Sequence, residues 1–144
     1  MLNDPPPGLN LHIYADGASR GNPGPAAAGA VLKDERGNKM AEVSLFLGTA
    51  TNNQAEYRAL IAALEAATKL KPKSVHIHLD SQLVVLQVLG TYQMKNPRLR
   101  PLLQRAQQLM SQFKTVEIDH IPGSCNHEAH LLAGAAFRQK KRHP

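Results

Sequence analysis

Hydrophobic and polar positions alternate along the first third of the chain, a pattern that is typical of half-buried β-strands. The alternation predicts three strands, at residues 9–15, 26–33 and 41–48. Residues 17–25 are rich in glycine and proline and are predicted to form a loop, whereas residues 34–38 are predicted to form a hairpin turn. The first third of the chain is therefore predicted to form three consecutive strands joined by short loops.

The period of the pattern changes after the third strand. Alanine then recurs at every fourth position, which predicts an amphipathic helix with Thr51 or Asn52 as its N-cap. Two further strands, at residues 75–79 and 116–121, alternate with helices that begin at Ser81 and that cover residues 99–113 and 126–139. Hairpin strands followed by alternating strands and helices indicate an α/β fold with a mixed sheet flanked by helices. Periodicity does not give the order of the strands.

Length and composition are those of one globular domain. The chain has 144 residues, of which 42% are hydrophobic and 19% are charged. We expect a domain over residues 9–139, a flexible proline-rich leader at residues 1–8 and a basic tail at residues 140–144. The single cysteine, Cys125, cannot form an internal disulfide, and no signal segment or membrane-spanning run is evident. A soluble, cytoplasmic monomer without an obligate protein partner is therefore expected.

The chain is basic, with a formal net charge of +6 and an isoelectric point near 9.7. Part of this charge is concentrated in two clusters, formed by Lys95, Arg98, Arg100 and Arg105 and by Arg138, Lys140, Lys141 and Arg142. A basic surface attracts the phosphate backbone of a nucleic acid, although a solvated helix face and a chain terminus explain such clusters equally well.

Three of the eleven acidic residues stand at the ends of predicted elements. Asp16 directly follows the first strand and Asp80 the fourth, at the carboxyl ends where ligands of open α/β sheets bind. Glu56 is expected in the first turn of the long helix. Each position also has a plainer explanation, since aspartate favours turns and acidic residues complement the positive end of a helix.

The strings around these acids form a more specific pattern. Asp16 begins Asp-Gly-Ala-Ser-Arg-Gly-Asn-Pro-Gly-Pro, Thr51 begins Thr-Asn-Asn-Gln-Ala-Glu-Tyr, and Leu79 begins Leu-Asp-Ser-Gln-Leu-Val. In this order they resemble the type 1 ribonuclease H family, whose members cut the RNA strand of RNA–DNA hybrids. The resemblance implies a ribonuclease H-like fold, in which three antiparallel hairpin strands and two parallel strands form a five-stranded mixed sheet.

The resemblance also implies the chemistry of the site. Asp16, Glu56 and Asp80 would converge on two Mg²⁺ or Mn²⁺ ions, with Asp16 between them. Hard cations prefer oxygen ligands, and two of them stabilise both oxygens of a phosphodiester displacement. Five further positions match residues that contact the hybrid: Asn22, Thr51, Asn52, Asn53 and Gln82. Side-chain amides both donate and accept hydrogen bonds, which suits the ribose 2′-hydroxyl, although a plain helix cap explains Asn52 equally well.

One position departs from the family pattern. The family has Asn-x-x-Ala-Asp-x-Leu-Ala near its C-terminus, and its aspartate is the fourth metal-site carboxylate. Here the segment that begins at Asn126 places His130 at that position. Glu128 is a poor substitute, because two residues along a helix turn a side chain about 200° away. Three interpretations remain open. His130 could be a ligand of Mn²⁺ or another borderline ion, or it could hold a water molecule beside three working carboxylates. The protein could also be an inactive module that binds the hybrid.

Neighbouring residues allow two further roles. Cys125, His127 and His130 have a spacing that soft-metal sites use, but a closed zinc site needs a fourth ligand. His120 or His127 could instead relay a proton during product release. A third functional class, metal-dependent nucleases that act on DNA, fits the acids but not the Thr-Asn-Asn string at Thr51.

Overall fold

The computed structural model describes residues 8–142, with side chains through residue 139. The strands are β1 (Asn10–Ser19), β2 (Gly24–Lys33), β3 (Lys39–Ala50), β4 (Ser74–Leu79) and β5 (Thr115–His120). The helices are α1 (Asn52–Leu70), α2 (Gln82–Val88), α3 (Arg100–Met110) and α4 (His127–Arg142), and a 3₁₀ turn, Gly123–Cys125, precedes α4.

The five strands form one sheet in the order β3-β2-β1-β4-β5. β1 pairs antiparallel with β2, and β2 with β3, while β4 runs parallel to both β1 and β5. The predicted α/β class and the division into three antiparallel and two parallel strands are confirmed. β1 is the central strand, so the carboxyl ends of β1 and β4 lie side by side.

Helix α1 covers one face of the sheet because its alanine positions form a narrow buried stripe. Four residues of this stripe have no exposed surface, namely Ala55, Ala59, Ala63 and Ala67. A capping box fixes the start of the helix, since Thr51 Oγ1 accepts from the amide of Gln54 at 3.1 Å and the Gln54 side chain accepts from the amide of Thr51 at 2.8 Å. Small side chains bring α1 close to β1 and β2, which places the first turns of α1 beside the end of β1.

Helix α4 packs on the opposite face, against β2, β3 and β1. The approach is close at Gly29, where an added Cβ would lie 2.1 Å from the carbonyl oxygen of Ala129. Residues that pair directly across a sheet share a face, so Asp16, which pairs with Gly29, lies on the α4 face. The same face carries His12 and Tyr14 on β1 and His76 and His78 on β4. Burial, together with the charges of His76 and His12, lowers the pKa of His78 to about 4.

Several predicted boundaries need correction. β1 continues to Ser19 instead of ending before Asp16, because its pairing with β2 persists after its pairing with β4 has ended. Glu56 lies in the second turn of α1, since the helix begins at Asn52. α4 runs to Arg142, so the predicted basic tail contributes its first three residues to the helix. The predicted leader lies outside the described residues except for Gly8, as do residues 143–144.

Candidate active site

Three carboxylates from three different elements converge at one edge of the sheet. Asp16 lies on β1 where the β1–β4 pairing ends, Asp80 directly follows β4, and Glu56 reaches across from α1. One oxygen atom from each carboxylate lies within 4.8 Å of the others. Carboxylate oxygens clustered in this way are the ligands that hard divalent cations prefer, so the three acids form a candidate metal site.

The three acids are held in a costly arrangement when no cation lies between them. Asp16 is only 6% exposed, and Oε2 of Glu56 is fully enclosed without a hydrogen-bond partner among the described residues. Burial, together with the negative charges of Asp16 and Asp80, raises the pKa of Glu56 to about 9. Burial and the charge of Asp80 also raise the pKa of Asp16, although the hydrogen bond with His130 opposes this. A divalent cation would relieve both the desolvation and the repulsion.

Neighbouring polar groups aim two of the carboxylates. The backbone amide of Gly17 donates to Glu56 Oε1 at 3.2 Å. Nδ2 of Asn126, a residue that is 1% exposed, donates to the carbonyl oxygen of Ala15 at 2.8 Å and lies 3.3 Å from Asp80 Oδ2. Asn126 therefore ties the start of α4 to both strands that carry the aspartates. In the sequence, Asn126 stands out only as the first residue of a motif. Its contact with Ala15, 111 residues away, leaves no local pattern.

His130 lies beside the acids without belonging to their tightest group. Its Nδ1 is 3.2 Å from Asp16 Oδ2, and its side chain is 69% exposed. Glu128 points elsewhere and pairs with Lys33 and Lys39, as its position on the helix predicted. Among the described residues, Cys125, His127 and His130, whose spacing alone would allow a soft-metal site, do not form a compact group, and Cys125 is exposed.

Comparison with known proteins assigns this constellation to a family. Residues 14–136 match the family model described as reverse transcriptase-like. The chain is 47% identical over 133 residues to ribonuclease HI of Halobacterium salinarum, an alignment that covers 92% of this chain and 67% of that protein. The chain belongs to the ribonuclease H family. It is also 45% identical over 130 residues to the bifunctional protein Rv2228c of Mycobacterium tuberculosis, covering 90% of this chain and 36% of that protein.

Solved ribonuclease H structures share the fold. The crystal structure of RNase H1 from Halobacterium salinarum NRC-1 is 46% identical, with a TM-score of 0.88 and coverage of 90% of this chain and 98% of that chain. LC11-RNase H1 in complex with an RNA/DNA hybrid is 38% identical, with a TM-score of 0.85 and the same coverage. The fold and family that the motifs predicted are thereby confirmed.

The polar residues that the sequence predicted to contact the hybrid lie in two places. Asn22 and Asn52 are linked, because Asn22 Oδ1 accepts from the backbone amide of Asn52 at 3.0 Å. Asn52 Oδ1 in turn accepts from the amide of Ser19 at 3.0 Å, so the Asn52 side chain points back to the end of β1 rather than capping α1. Thr51 provides the cap instead. Asn53 follows in the first turn of α1, and Gln82 is exposed at the first position of α2, beyond Asp80.

Gly17 allows α1 to reach the ribonuclease H site. A Cβ added to Gly17 would lie 2.2 Å from the carbonyl oxygen of Ala55 and 2.5 Å from the amide nitrogen of Glu56. Both atoms belong to the helix backbone, which cannot move without displacing the Glu56 carboxylate. The glycine after Asp16 is thus required for close approach.

Replacing Gly17 by alanine is expected to destabilise the fold by about 1–3 kcal/mol, the usual cost of overpacking. Hybrid cleavage should fall as well, because Glu56 is moved away from the other acids. Thermal unfolding and a cleavage assay measure the two effects. Gly134→Ala is the matched control, since its Cβ would meet no atom closer than 3.8 Å and would favour the helix. An unchanged melting temperature in Gly17→Ala would contradict the prediction.

Proposed function

We propose that this chain hydrolyses the RNA strand of RNA–DNA hybrids with two divalent ions, Mg²⁺ or Mn²⁺, held by Asp16, Glu56 and Asp80. The observation that carries the proposal is the convergence of these carboxylates within 4.8 Å, with an enclosed and unpartnered oxygen on Glu56. An unpartnered buried oxygen is costly in a protein, and a cation is the partner that an anionic one requires. The all-oxygen donor set fits hard cations.

Each residue has a distinct part in this reaction. When bound, the two ions stabilise negative charge on the attacking and leaving oxygens of the phosphodiester. Asp16 is only 6% exposed and interacts with both Glu56 and Asp80, so it would be the carboxylate suited to contact both ions. Gly17 orients Glu56 through its amide, and Asn126 orients Asp80. The carboxylates are therefore positioned before the substrate arrives, which removes reorganisation from the reaction step.

His130 serves this site as a neutral imidazole ligand in place of the fourth carboxylate of the family. Its Nδ1 is already 3.2 Å from Asp16 Oδ2, and its exposed side chain has room to turn towards an ion. Replacing an oxygen ligand by imidazole shifts preference from Mg²⁺ towards Mn²⁺ and other transition ions. The enzyme should consequently be more active with Mn²⁺ than with Mg²⁺.

Replacing His130 by aspartate should reverse that preference. We expect Mg²⁺-dependent cleavage to rise and the ratio of Mn²⁺ to Mg²⁺ activity to fall by about tenfold, the size of effect seen when residues around a metal are altered. Initial rates across a titration of each ion measure this ratio. His130→Gln, which retains polarity but has no imidazole, should lose activity with both ions. If His130→Gln kept the wild-type rates and ion preference, a ligand role for His130 would be excluded.

The polar residues around Asp16, Glu56 and Asp80 recognise the RNA strand. Asn52, Asn53 and Gln82 contact the hybrid near the scissile phosphate, where their amides read the 2′-hydroxyl, while Asn22 and Thr51 hold the backbone. Support comes from the hydrogen bonds that link Asn22 to Asn52 and Asn52 to Ser19, which fix the side chains of Asn22 and Asn52 relative to the end of β1. The exposed Nδ2 of Asn52 is left to donate to the substrate.

A second candidate function is a hybrid-binding module without catalysis, and only the replacement of the fourth carboxylate by His130 favours it. Labelled RNA–DNA hybrid, single-stranded RNA and double-stranded DNA, each incubated with Mg²⁺ and separately with Mn²⁺, distinguish the two. Cleavage of the hybrid alone supports the enzyme. Hybrid binding without cleavage in either ion would leave the binding module.

We also propose an oligomeric state and a cellular compartment for the chain. The chain acts as a cytoplasmic monomer, which the single, unpaired Cys125 supports because reducing compartments favour free thiols. Within the described part of the chain, no helix is sufficiently long and apolar to span a membrane. Light scattering of the purified chain tests the monomer, and a mass of twice 15.7 kDa would contradict it.

A further inference from the structure

Three histidines form a compact group on the sheet, apart from the catalytic acids. One ring nitrogen from each of His12, His76 and His78 lies within 4.8 Å of the other two. The rings are in contact, with centroids 4.2 Å apart for His76 and His78, 5.3 Å for His12 and His78, and 5.5 Å for His12 and His76. Each residue is partly buried, and none belongs to the proposed nuclease mechanism.

The pairing of β1 with β4 creates this group. His12 and His76 are direct partners in the parallel register, and His78 follows two residues later on the same face. Tyr14, the partner of His78, stacks on its ring at 4.6 Å and closes one side of the group. Three imidazoles are therefore presented by two rigid strands, which is the type of scaffold on which ligands are held most precisely.

The spacing of the nitrogens fits a shared metal ion. His12 Nδ1 and His78 Nε2 are 3.0 Å apart. Two nitrogens bound to one ion at about 2.1 Å are about 3.0 Å apart at a right angle and about 3.4 Å apart at a tetrahedral angle. The third ring, that of His76, lies within reach of the same position, because one nitrogen from each of the three rings lies within 4.8 Å of the others.

Two carboxylates on the neighbouring strand β5, those of Asp119 and Glu117, lie beside His76. Metal-binding histidines commonly have such a carboxylate partner. Asp119 Oδ2 lies 2.5 Å from His76 Nε2, and Glu117 Oε2 lies 3.6 Å from His76 Nδ1. A carboxylate that accepts from one imidazole nitrogen fixes the tautomer and leaves the other nitrogen to bind an ion. Asp119 orients His76 in this way, while Glu117 adds negative charge beside the position of a cation.

We propose that His12, His76 and His78 form a second metal site, specific for a borderline divalent transition ion such as Zn²⁺, which joins β1 to β4. Three protein ligands leave at least one coordination position for water. Three imidazoles select zinc-like ions, whereas a site with three carboxylates and one imidazole favours harder ions such as Mn²⁺, so the two sites differ in ligand chemistry. His12 precedes Asp16 by four residues, about 13 Å along an extended strand, so the sites do not share an ion.

Zinc titration of the full-length chain without an added histidine tag tests the proposal. In excess Mn²⁺, which the carboxylate site favours and a three-histidine site binds more weakly than Zn²⁺, calorimetry should detect one Zn²⁺ per chain. At a free Zn²⁺ concentration of 100 times the Kd, the melting temperature should rise by about 5–10 °C. Two-dimensional spectra of ¹⁵N-labelled imidazoles should show that the signals of His12, His76 and His78 shift together, a readout that requires no variant.

Substitutions locate the ion. His12→Gln and His76→Gln should each weaken Zn²⁺ binding at least tenfold, while the matched variant His120→Gln, at the end of β5, should leave it unchanged. Asp16→Asn should also leave it unchanged, because the catalytic acids do not contribute. Zinc binding that survives in His12→Gln and His76→Gln, or that is lost in Asp16→Asn, would overturn the proposal. Imidazole signals that do not respond to Zn²⁺ would overturn it as well.

Discussion

Replacing Asp16 by asparagine should lower the rate of hybrid cleavage by about 10³-fold or more in both Mg²⁺ and Mn²⁺. Asp16 is only 6% exposed and is close enough to both Glu56 and Asp80 to interact with them electrostatically. An amide of the same shape carries no charge and cannot hold two cations, so the loss is several kcal/mol of transition-state stabilisation, and each 1.36 kcal/mol is tenfold in rate. Single-turnover cleavage of a labelled hybrid measures the effect.

Two controls separate this loss from unfolding and from contamination. Glu42→Gln makes the same change of carboxylate to amide at a side chain that is 44% exposed on β3, and it should cleave at the wild-type rate. Asp16→Asn should unfold at a temperature no lower than the wild type in chelator, because it removes repulsion among the acids. A rate that survives in Asp16→Asn would mean either that the activity belongs to another nuclease or that Asp16 is not a ligand.

The positions of the aspartates followed from simple rules, whereas the geometry around them did not. Asp16 and Asp80 each follow a hydrophobic strand segment, and the carboxyl ends of parallel neighbours meet at one edge. The predicted first strand ends too early, because β1 continues past Asp16 along β2. Periodicity detects where one face is buried but not which neighbour a strand pairs with at each residue.

Contacts between distant segments account for most of what the sequence did not reveal. Asn126 contacts Ala15, and Gly17 contacts the α1 backbone, across separations that no local pattern encodes. The group of three histidines has the same origin. His76 and His78 alternate along β4 as strand residues do, but His12 joins them only through the parallel register. The register follows from burial of the opposite face, where Ile13 and Ile77 pair in the core.

Because of Glu56, the free energy of unfolding of the metal-free protein should fall as the pH rises. The substitution Glu56→Gln should remove most of this pH dependence. The pKa of Glu56 is raised from 4.5 to about 9 in the folded chain, first by burial and then by the charges of Asp16 and Asp80. Below pH 4.5 the carboxyl is protonated in both the folded and the unfolded state, so stability is unaffected. Between that pH and about 9 only the unfolded chain releases the proton, so the free energy of unfolding falls with rising pH.

The expected difference is large because each pH unit in this window costs up to about 1.36 kcal/mol. Urea unfolding in chelator should show Glu56→Gln to be more stable than the wild type near pH 8, by on the order of a few kcal/mol, and nearly equal to it near pH 5. The glutamine retains an oxygen that accepts from Gly17 and gains an amide that donates to Asp16. Saturating Mn²⁺ should stabilise the wild type strongly and the variant weakly, because the ion needs the charge of Glu56. Equal pH dependence of the two proteins would show that the repulsion among the acids is relieved without metal, and the arrangement would then be no evidence for an ion.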